Sequence, residues 1–164
     1  MISRSLALAL AFSFAAPLSA QSVAAHADFT GTWVMDASKT AVSGAMPAPS
    51  GGGCVITQHG DSITIEMTQR SEQGEITTKR VLGVDGKEWK NSLTYQGTPM
   101  GLSSVLMWNG AVLNIQTNSD FQGTPVEQNE TWTLSADATT FTQRMSTIVN
   151  GEDWAAVTLV FNKK

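Results

Sequence analysis

The sequence contains few residues that could cross-link the chain or give it a strong charge. Cys54 is the single cysteine in 164 residues, which excludes an intrachain disulfide. Charged residues make up 15% of the chain, and the 10 Lys and Arg are scattered along it. Nucleic acids require a concentrated basic surface to displace their counterions. We therefore expect no nucleic-acid partner and a fold that depends on its hydrophobic core.

Residues that carry catalysis or bind metals are also scarce. Of the 2 histidines, only His59 falls within the predicted domain, and no Gly-x-Ser-x-Gly nucleophile motif accompanies it. The odd spacing of Cys54 and His59 places them on opposite faces of a strand, where they cannot share an ion. Glu127 and Glu130 also fall on opposite faces, unlike a local pair of glycosidase carboxylates. We expect no catalytic residue, no metal site and no cofactor, although carboxylates from distant strands could still converge.

Long hydrophobic runs are missing after the N-terminal segment. Residues 1–4, which end in Arg4, form a short basic n-region, and the apolar run 6–16 is too short to span a bilayer of about 30 Å as a helix. This layout predicts a secretory signal peptide over residues 1–25, cleaved after Ala20 or Ala25. We expect a periplasmic or secreted protein with no membrane span in its mature form. Retention of the segment as a membrane anchor is the alternative.

From residue 28 to 164 the sequence is a succession of short β-like segments. Ile63, Ile65 and Met67 alternate with polar residues, which is the period of a strand with one buried face. Turn dipeptides separate such segments at Gly60-Asp61, Asp85-Gly86, Asn109-Gly110 and Asn150-Gly151. The pattern predicts one all-β domain, an up-and-down antiparallel β-barrel of about eight to ten strands, because closure removes the sheet edges. A two-sheet sandwich is the alternative.

Residues 37–53 interrupt the β pattern. They are small, rich in Pro and Gly, and without a clear period. We predict a long loop here, with one helical turn near Ser38. A loop of this length is often a lid or an interaction loop, and a plain connector is the other interpretation.

One predicted strand directs polar groups toward the barrel interior. Alternation from Trp132 puts Glu130 and Gln128 on its face, and in the next strand Gln143 shares a face with Met145. Buried polar groups need partners, which water or a polar ligand head in a cavity would supply. In the alternative, Glu130 faces solvent and Trp132 lies on the outer wall. The candidate ligand-binding residues are Gln128, Glu130, Trp132, Gln143, Met145, Ile65 and Met67.

The sequence leaves open whether the barrel is hollow. Inward side chains of a small barrel either fill the interior or line a cavity for one small ligand. Met and Trp are abundant in the predicted strands and suit both roles. Alternation turns Arg144 outward, and we expect the same of Arg80.

The segment Phe29-Thr30-Gly31-Thr32-Trp33 resembles the opening motif shared by lipocalins and fatty-acid-binding proteins, the calycin group. Ala37-Ser38-Lys39, Trp132-Thr133-Leu134-Ser135 and the stretch 154–164 resemble pieces of small exported bacterial lipocalin-like proteins. The resemblance implies a barrel closed at one end near Gly31 and Trp33. It also implies a small, mainly hydrophobic ligand in the interior.

Two features of those families are missing from the sequence. Lipocalins place an arginine on a late strand over the motif tryptophan, and residues 157–161 contain none. Fatty-acid-binding proteins hold the ligand carboxylate with an Arg-x-Tyr pair near the C-terminus, which is also absent. The resemblance therefore supports the fold more strongly than it supports fatty-acid binding.

Three functions follow in order of preference. The first is a non-enzymatic carrier of a small hydrophobic molecule. The second is a solid-core barrel that contacts an envelope protein or a protease through residues 37–53. Enzymatic activity is third.

Overall fold

The computed structural model describes residues 26–72, 74–95 and 97–164. The predicted signal peptide, residues 1–25, lies outside the described residues. In the described ranges the chain forms a 3-10 turn, Ala37–Lys39, and antiparallel strands. The strands are β1 Gly31–Met35, β2 Ala41–Gly44, β3 Gly51–His59, β4 Ser62–Ser71, β5 Gly74–Gly83, β6 Glu88–Tyr95, β7 Thr98–Asn109, β8 Val112–Phe121, β9 Thr124–Leu134, β10 Thr140–Val149 and β11 Glu152–Lys163. No helix in this part of the chain has the length and apolar character needed to cross a bilayer.

Ten of the strands follow one another around a nearly closed barrel. Their order is β5-β4-β3-β1-β11-β10-β9-β8-β7-β6, and β2 pairs separately with β11. Every hydrogen-bonded pair is antiparallel, and most strands lie beside their neighbours in sequence. The predicted all-β, up-and-down barrel is confirmed, and its arrangement is calycin-like. One continuous sheet replaces the two layers of the sandwich alternative.

Tight turns set the hairpins of the barrel. Asn150 and Gly151 join β10 to β11 with φ of 53° and 81°, as a type I′ turn requires. Gln122 and Gly123 make a similar turn between β8 and β9, with φ of 55° and 84°. The sequence analysis did not identify this second turn, because Gln-Gly is a weaker turn signal than Asn-Gly.

The predicted loop over residues 37–53 is wrong in its extent. The helical turn near Ser38 is present, but Ala41–Gly44 forms β2, and β3 begins at Gly51. The backbone of Gly44 lies so close to β11 that a Cβ atom would come within 2.3 Å of the Trp154 carbonyl oxygen. Small residues allow this approach, and they also hide the alternation by which strands are recognised. The irregular segment is therefore limited to residues 45–50.

An aromatic cluster fills the end of the barrel at which β1 begins. Phe141 is at its centre, with its ring centroid 4.4 Å from Phe161, 4.9 Å from Trp33, 5.2 Å from Trp132 and 5.9 Å from Phe29. All five rings are at most 1% exposed. Edge-to-face and offset contacts of this kind add to the large area that aromatic side chains bury. We call this region the closed half of the barrel.

Trp33 of the opening motif is held in the closed half from two sides. Its indole Nε1 donates to the Phe29 carbonyl oxygen over 2.8 Å, and Lys163 Nζ lies 5.2 Å from its ring centroid. Gly31 begins β1 two residues earlier. Residues 157–161 contain no arginine, but Lys163 at the end of β11 places a cation near the Trp33 ring.

β5 and β6 are the first and last strands in the sheet order, and a side chain joins them in place of a ladder of backbone hydrogen bonds. Asn91 of β6 accepts from the Val81 backbone N–H over 2.8 Å and donates to the Val81 carbonyl over 3.0 Å. The carboxamide has the same donor and acceptor as a peptide group, so it substitutes for one rung of the ladder. We call this contact between β5 and β6 the seam.

Replacing Asn91 with Ala should weaken the seam. Two hydrogen bonds are lost and the backbone of Val81 loses its partner, so we expect the free energy of unfolding to fall by about 1–3 kcal/mol. Urea denaturation measures the change, and hydrogen exchange at the Val81 amide reports the site. Asn118→Ala, on the exposed face of β8, is the matched control and should change stability by less than about 0.5 kcal/mol. Equal stability of both variants with an unchanged Val81 amide would contradict the assignment.

Candidate functional site

The half of the barrel away from the aromatic cluster contains a cavity of about 580 Å³. Its volume is in the range that small-molecule sites occupy. Its walls come from strands on both sides of the seam and from the segment 45–50. The lining residues are Met46, Pro47, Pro49, Met67, Gln69, Arg70, Ser71, Ile76, Thr78, Arg80, Leu93, Met100, Leu102, Thr117, Ser119, Phe121, Thr124, Val126, Gln128, Glu130, Gln143, Met145, Thr147, Val149 and Trp154.

The wall of the cavity between its floor and its mouth is mainly apolar. Leu93, Met100, Val126, Met145 and Phe121 contribute aliphatic, thioether and aromatic surface from five different strands. Methionine side chains are flexible and polarizable, so they adapt to the shape of an apolar molecule. Affinity for a ligand in this region would come from burial of its apolar surface.

A buried polar group forms the floor of the cavity, where it meets the closed half. Both carboxylate oxygens of Glu130 accept hydrogen bonds. Arg80 Nη1 donates to Oε1 over 2.5 Å, while Arg80 Nη2, Trp132 Nε1 and Gln143 Nε2 donate to Oε2 over 3.2, 3.0 and 2.8 Å. All four partners are donors, which is the environment of an ionised, acceptor-only carboxylate. We call Arg80, Glu130, Trp132 and Gln143 the floor network.

Arg80 points into the barrel, so the expectation that it faces outward is wrong. Its side chain is 9% exposed and that of Glu130 is 2% exposed. Burial alone would lower the pKa of Arg80, but the charge and hydrogen bonds of Glu130 outweigh burial and raise it. Arg80 is in β5 and Glu130 is in β9, on the opposite wall, so the ion pair crosses the interior. Arg144 is exposed, as predicted.

Two cavity-lining side chains of β10 each have a buried oxygen atom without a hydrogen-bond partner among the described residues. The atoms are Gln143 Oε1 and Thr147 Oγ1, in side chains that are each 3% exposed. A buried polar atom without a partner costs about 1–3 kcal/mol. The amide of Gln143 cannot rotate by half a turn to avoid this cost, because its oxygen would then face the Glu130 carboxylate. Gln143 therefore keeps an unpartnered acceptor beside the floor network.

The mouth of the cavity is lined by the segment 45–50 and by Trp154. Ala45 N donates to the Trp154 carbonyl over 3.1 Å, and Ser50 N donates to the Arg70 carbonyl over 2.7 Å, so both ends of the segment are fixed. Met46, Pro47 and Pro49 line the cavity between these points. Trp154 is an extra residue in the pairing of β11 with β10, and such a bulge redirects a side chain.

The structure brings most of the predicted candidates together. Gln128, Glu130, Gln143, Met145 and Met67 line the cavity. Glu130 and Trp132 face inward, and Gln143 is the partner of Glu130, as the alternation predicted. The alternative with Glu130 in solvent is excluded. Trp132 and Ile65 belong to the buried core beside the floor and are not among the lining residues.

Sequence reasoning missed Arg80 and Trp154 as parts of the site, and it described residues 37–53, which include the segment 45–50, only as a lid, an interaction loop or a plain connector. Arg80 could have been identified from the sequence, because alternation from the buried Leu82 places Arg80 and Thr78 on the inner face of β5. The neighbouring Val81 makes the other register equally plausible in sequence. The bulge at Trp154 leaves no local signal.

The candidates for chemistry are separate from the cavity. His59 is exposed at the end of β3, whereas Cys54 faces the core and is 4% exposed. Burial raises the pKa of the Cys54 thiol to about 12. Glu127 accepts from Gln116 and Asn129 on the face opposite Glu130. No group of three or more His, Cys, Asp and Glu in the described ranges is arranged to hold a metal ion.

Neither a protein-family model nor a curated protein sequence matches the chain.

Breaking the ion pair of the floor network should be costly. Arg80→Met leaves the Glu130 charge buried without its counterion, so we expect the free energy of unfolding to fall by about 3–5 kcal/mol. Adding Glu130→Gln removes that charge and keeps an oxygen to accept from Trp132 and Gln143, so the double variant should be the more stable of the two. Urea denaturation of the single and double variants measures this coupling. Additive losses would show that Arg80 and Glu130 do not form a pair.

Proposed function

We propose that the chain is a lipocalin-like, non-enzymatic binding protein that holds one small, mainly hydrophobic molecule in the barrel interior. The observation that carries the proposal is the cavity of about 580 Å³ with a mainly apolar wall and a polar floor. This combination is typical of sites that obtain affinity from apolar burial and orientation from a few polar groups. Gln128 and the floor network, which includes Gln143, would supply the orientation.

The mouth of the cavity supports the same proposal. Met46, Pro47, Pro49 and Trp154 give it an apolar rim, and Trp154 is 40% exposed. An apolar rim would cover the outer end of a bound ligand. The solid-core alternative, with an envelope protein or protease as partner, needs a filled interior, and only the closed half of this barrel is filled.

We also propose that the protein is exported to the periplasm or secreted, with residues 1–25 as its signal peptide. The basic start and short apolar run support this proposal. The calycin-like fold agrees with it, because the resemblance was to small exported bacterial proteins of this type.

A side chain that fills the cavity should abolish binding. Met145→Trp adds bulk on the inner face of β10, and we expect its affinity for the neutral lipophilic dye Nile red to fall more than about tenfold, a loss of about 1.4 kcal/mol. Met107→Trp is the matched control, because Met107 is 50% exposed on the outer face of β7. It should bind within about twofold of the unchanged protein. Fluorescence titration measures both affinities, and far-UV circular dichroism checks folding.

Two results would contradict the carrier proposal. One is an unchanged protein that ignores Nile red and other lipophilic dyes and that carries no small molecule when purified from its own host, as judged by native mass spectrometry. The other is equal weakening by Met145→Trp and Met107→Trp, which would place the dye on the surface.

Export is tested separately by cell fractionation. The protein recovered outside the cytoplasm should have a mass that corresponds to cleavage after Ala20 or Ala25, because small residues at these positions suit signal peptidase. A full-length protein confined to the cytoplasm would contradict the proposal.

A further inference from the structure

The floor of the cavity carries no net charge. Arg80 and Glu130 neutralise each other through two hydrogen bonds of 2.5 and 3.2 Å. Trp132 and Gln143 complete the shell of donors around the carboxylate. Arg70, the other charged residue of the lining, is paired with Glu75, and the side chain of Arg70 is 61% exposed. A ligand head that reaches the floor therefore meets a compensated ion pair.

The floor offers the head one acceptor and several donors. Gln143 Oε1 is the acceptor, fixed in its orientation by the Glu130 carboxylate. Arg80 has five N–H groups and gives two of them to Glu130. Arg80 Nη2 and Gln143 Nε2 donate to the same oxygen, Glu130 Oε2, so these two side chains are close enough to be bridged by one small group.

Thr147 Oγ1 also lacks a partner among the described residues, but it lies farther along β10 from the floor network than Gln143 does. It is four residues from Gln143 along β10, or about 13 Å in an extended strand. One small head cannot reach both. The level of Gln143 is the one that adjoins the floor network.

We infer that the ligand carries an uncharged hydroxyl head that donates to Gln143 Oε1, accepts from Arg80 and points its apolar tail toward the mouth. The inference rests on the proposed carrier function and specifies its ligand class. A hydroxyl both donates and accepts, so it satisfies the unpartnered oxygen and a free N–H together. The tail then lies along the apolar wall, beside Leu93, Met100 and Met145.

Charged heads fit this floor less well. A carboxylate would add a second negative charge beside Glu130, leave a net buried charge, and offer no hydrogen to Gln143 Oε1. An ammonium would be placed beside Arg80 and would lose its hydration without a counterion of its own. The site is therefore unlike one that holds a fatty acid through an uncompensated arginine.

Matched ligands of one chain length test the inference. We expect decanol to displace Nile red from the unchanged protein about tenfold more strongly than decanoate, decylamine or decyl methyl ether at neutral pH, a difference of about 1.4 kcal/mol. The ether accepts a hydrogen bond but cannot donate one, so it isolates the contact with Gln143. Isothermal titration calorimetry of decanol and the ether provides a second readout.

A substitution at the floor should remove the preference. In Gln143→Met the affinity for decanol should fall to that for the ether, while the affinity for the ether stays within about twofold. Gln69→Met is the matched control, because Gln69 lines the cavity in β4 and contacts Met67 instead of the floor. It should keep the preference for decanol. The series on the unchanged protein decides the matter even if Gln143→Met does not fold.

The possible failures are distinguishable. If the ether matches decanol, or if decanoate or decylamine binds as tightly as decanol, the inference is wrong and the carrier function stands. If none of the probes binds and Nile red is also ignored, the proposed function itself fails.

Discussion

A carboxylate buried inside the barrel is the constraint on which the rest of this structure depends. Glu130 is tolerated in the interior because four N–H donors from three strands surround it. A buried charge with fewer partners would be strongly destabilising. The position of Arg80 on the far wall is therefore fixed by Glu130, and so is the orientation of the Gln143 amide. The floor network thus holds opposite walls together and sets the depth of the cavity.

The same strands build two different interiors on either side of this floor. Along β9 and β10, Trp132 and Phe141 fill the closed half, whereas Val126 and Val149 leave space in the other half. The inward alternation is the same in both, so the filled and the hollow regions differ in which side chains point inward. A barrel built this way keeps a rigid aromatic core without disulfides while retaining room for a ligand.

The sequence was sufficient for the fold and for part of the site. Alternation and turn dipeptides predict the meander of strands. Alternation from Trp132 also predicted that Glu130 faces the interior, where Gln143 could be its partner, and the two side chains are hydrogen-bonded. Alternation failed for Arg80, because Val81 and Leu82 are both apolar, so the sequence of β5 allows either face to point inward. It failed for β2 and Trp154 as well, where small residues and a bulge break the two-residue period. Hollowness could not be predicted, because it depends on how volumes combine across ten strands.

The single cysteine, Cys54, faces the core, so its thiol should react only in molecules that have unfolded. Thiolates, not thiols, attack disulfides and oxidants, and in the folded barrel Cys54 has a pKa of about 12 and is nearly inaccessible. Folding requires no oxidant or isomerase to select among pairings, since there is only one cysteine. A covalent dimer or a mixed disulfide with glutathione in a preparation would therefore mark molecules that had lost their native packing before they reacted.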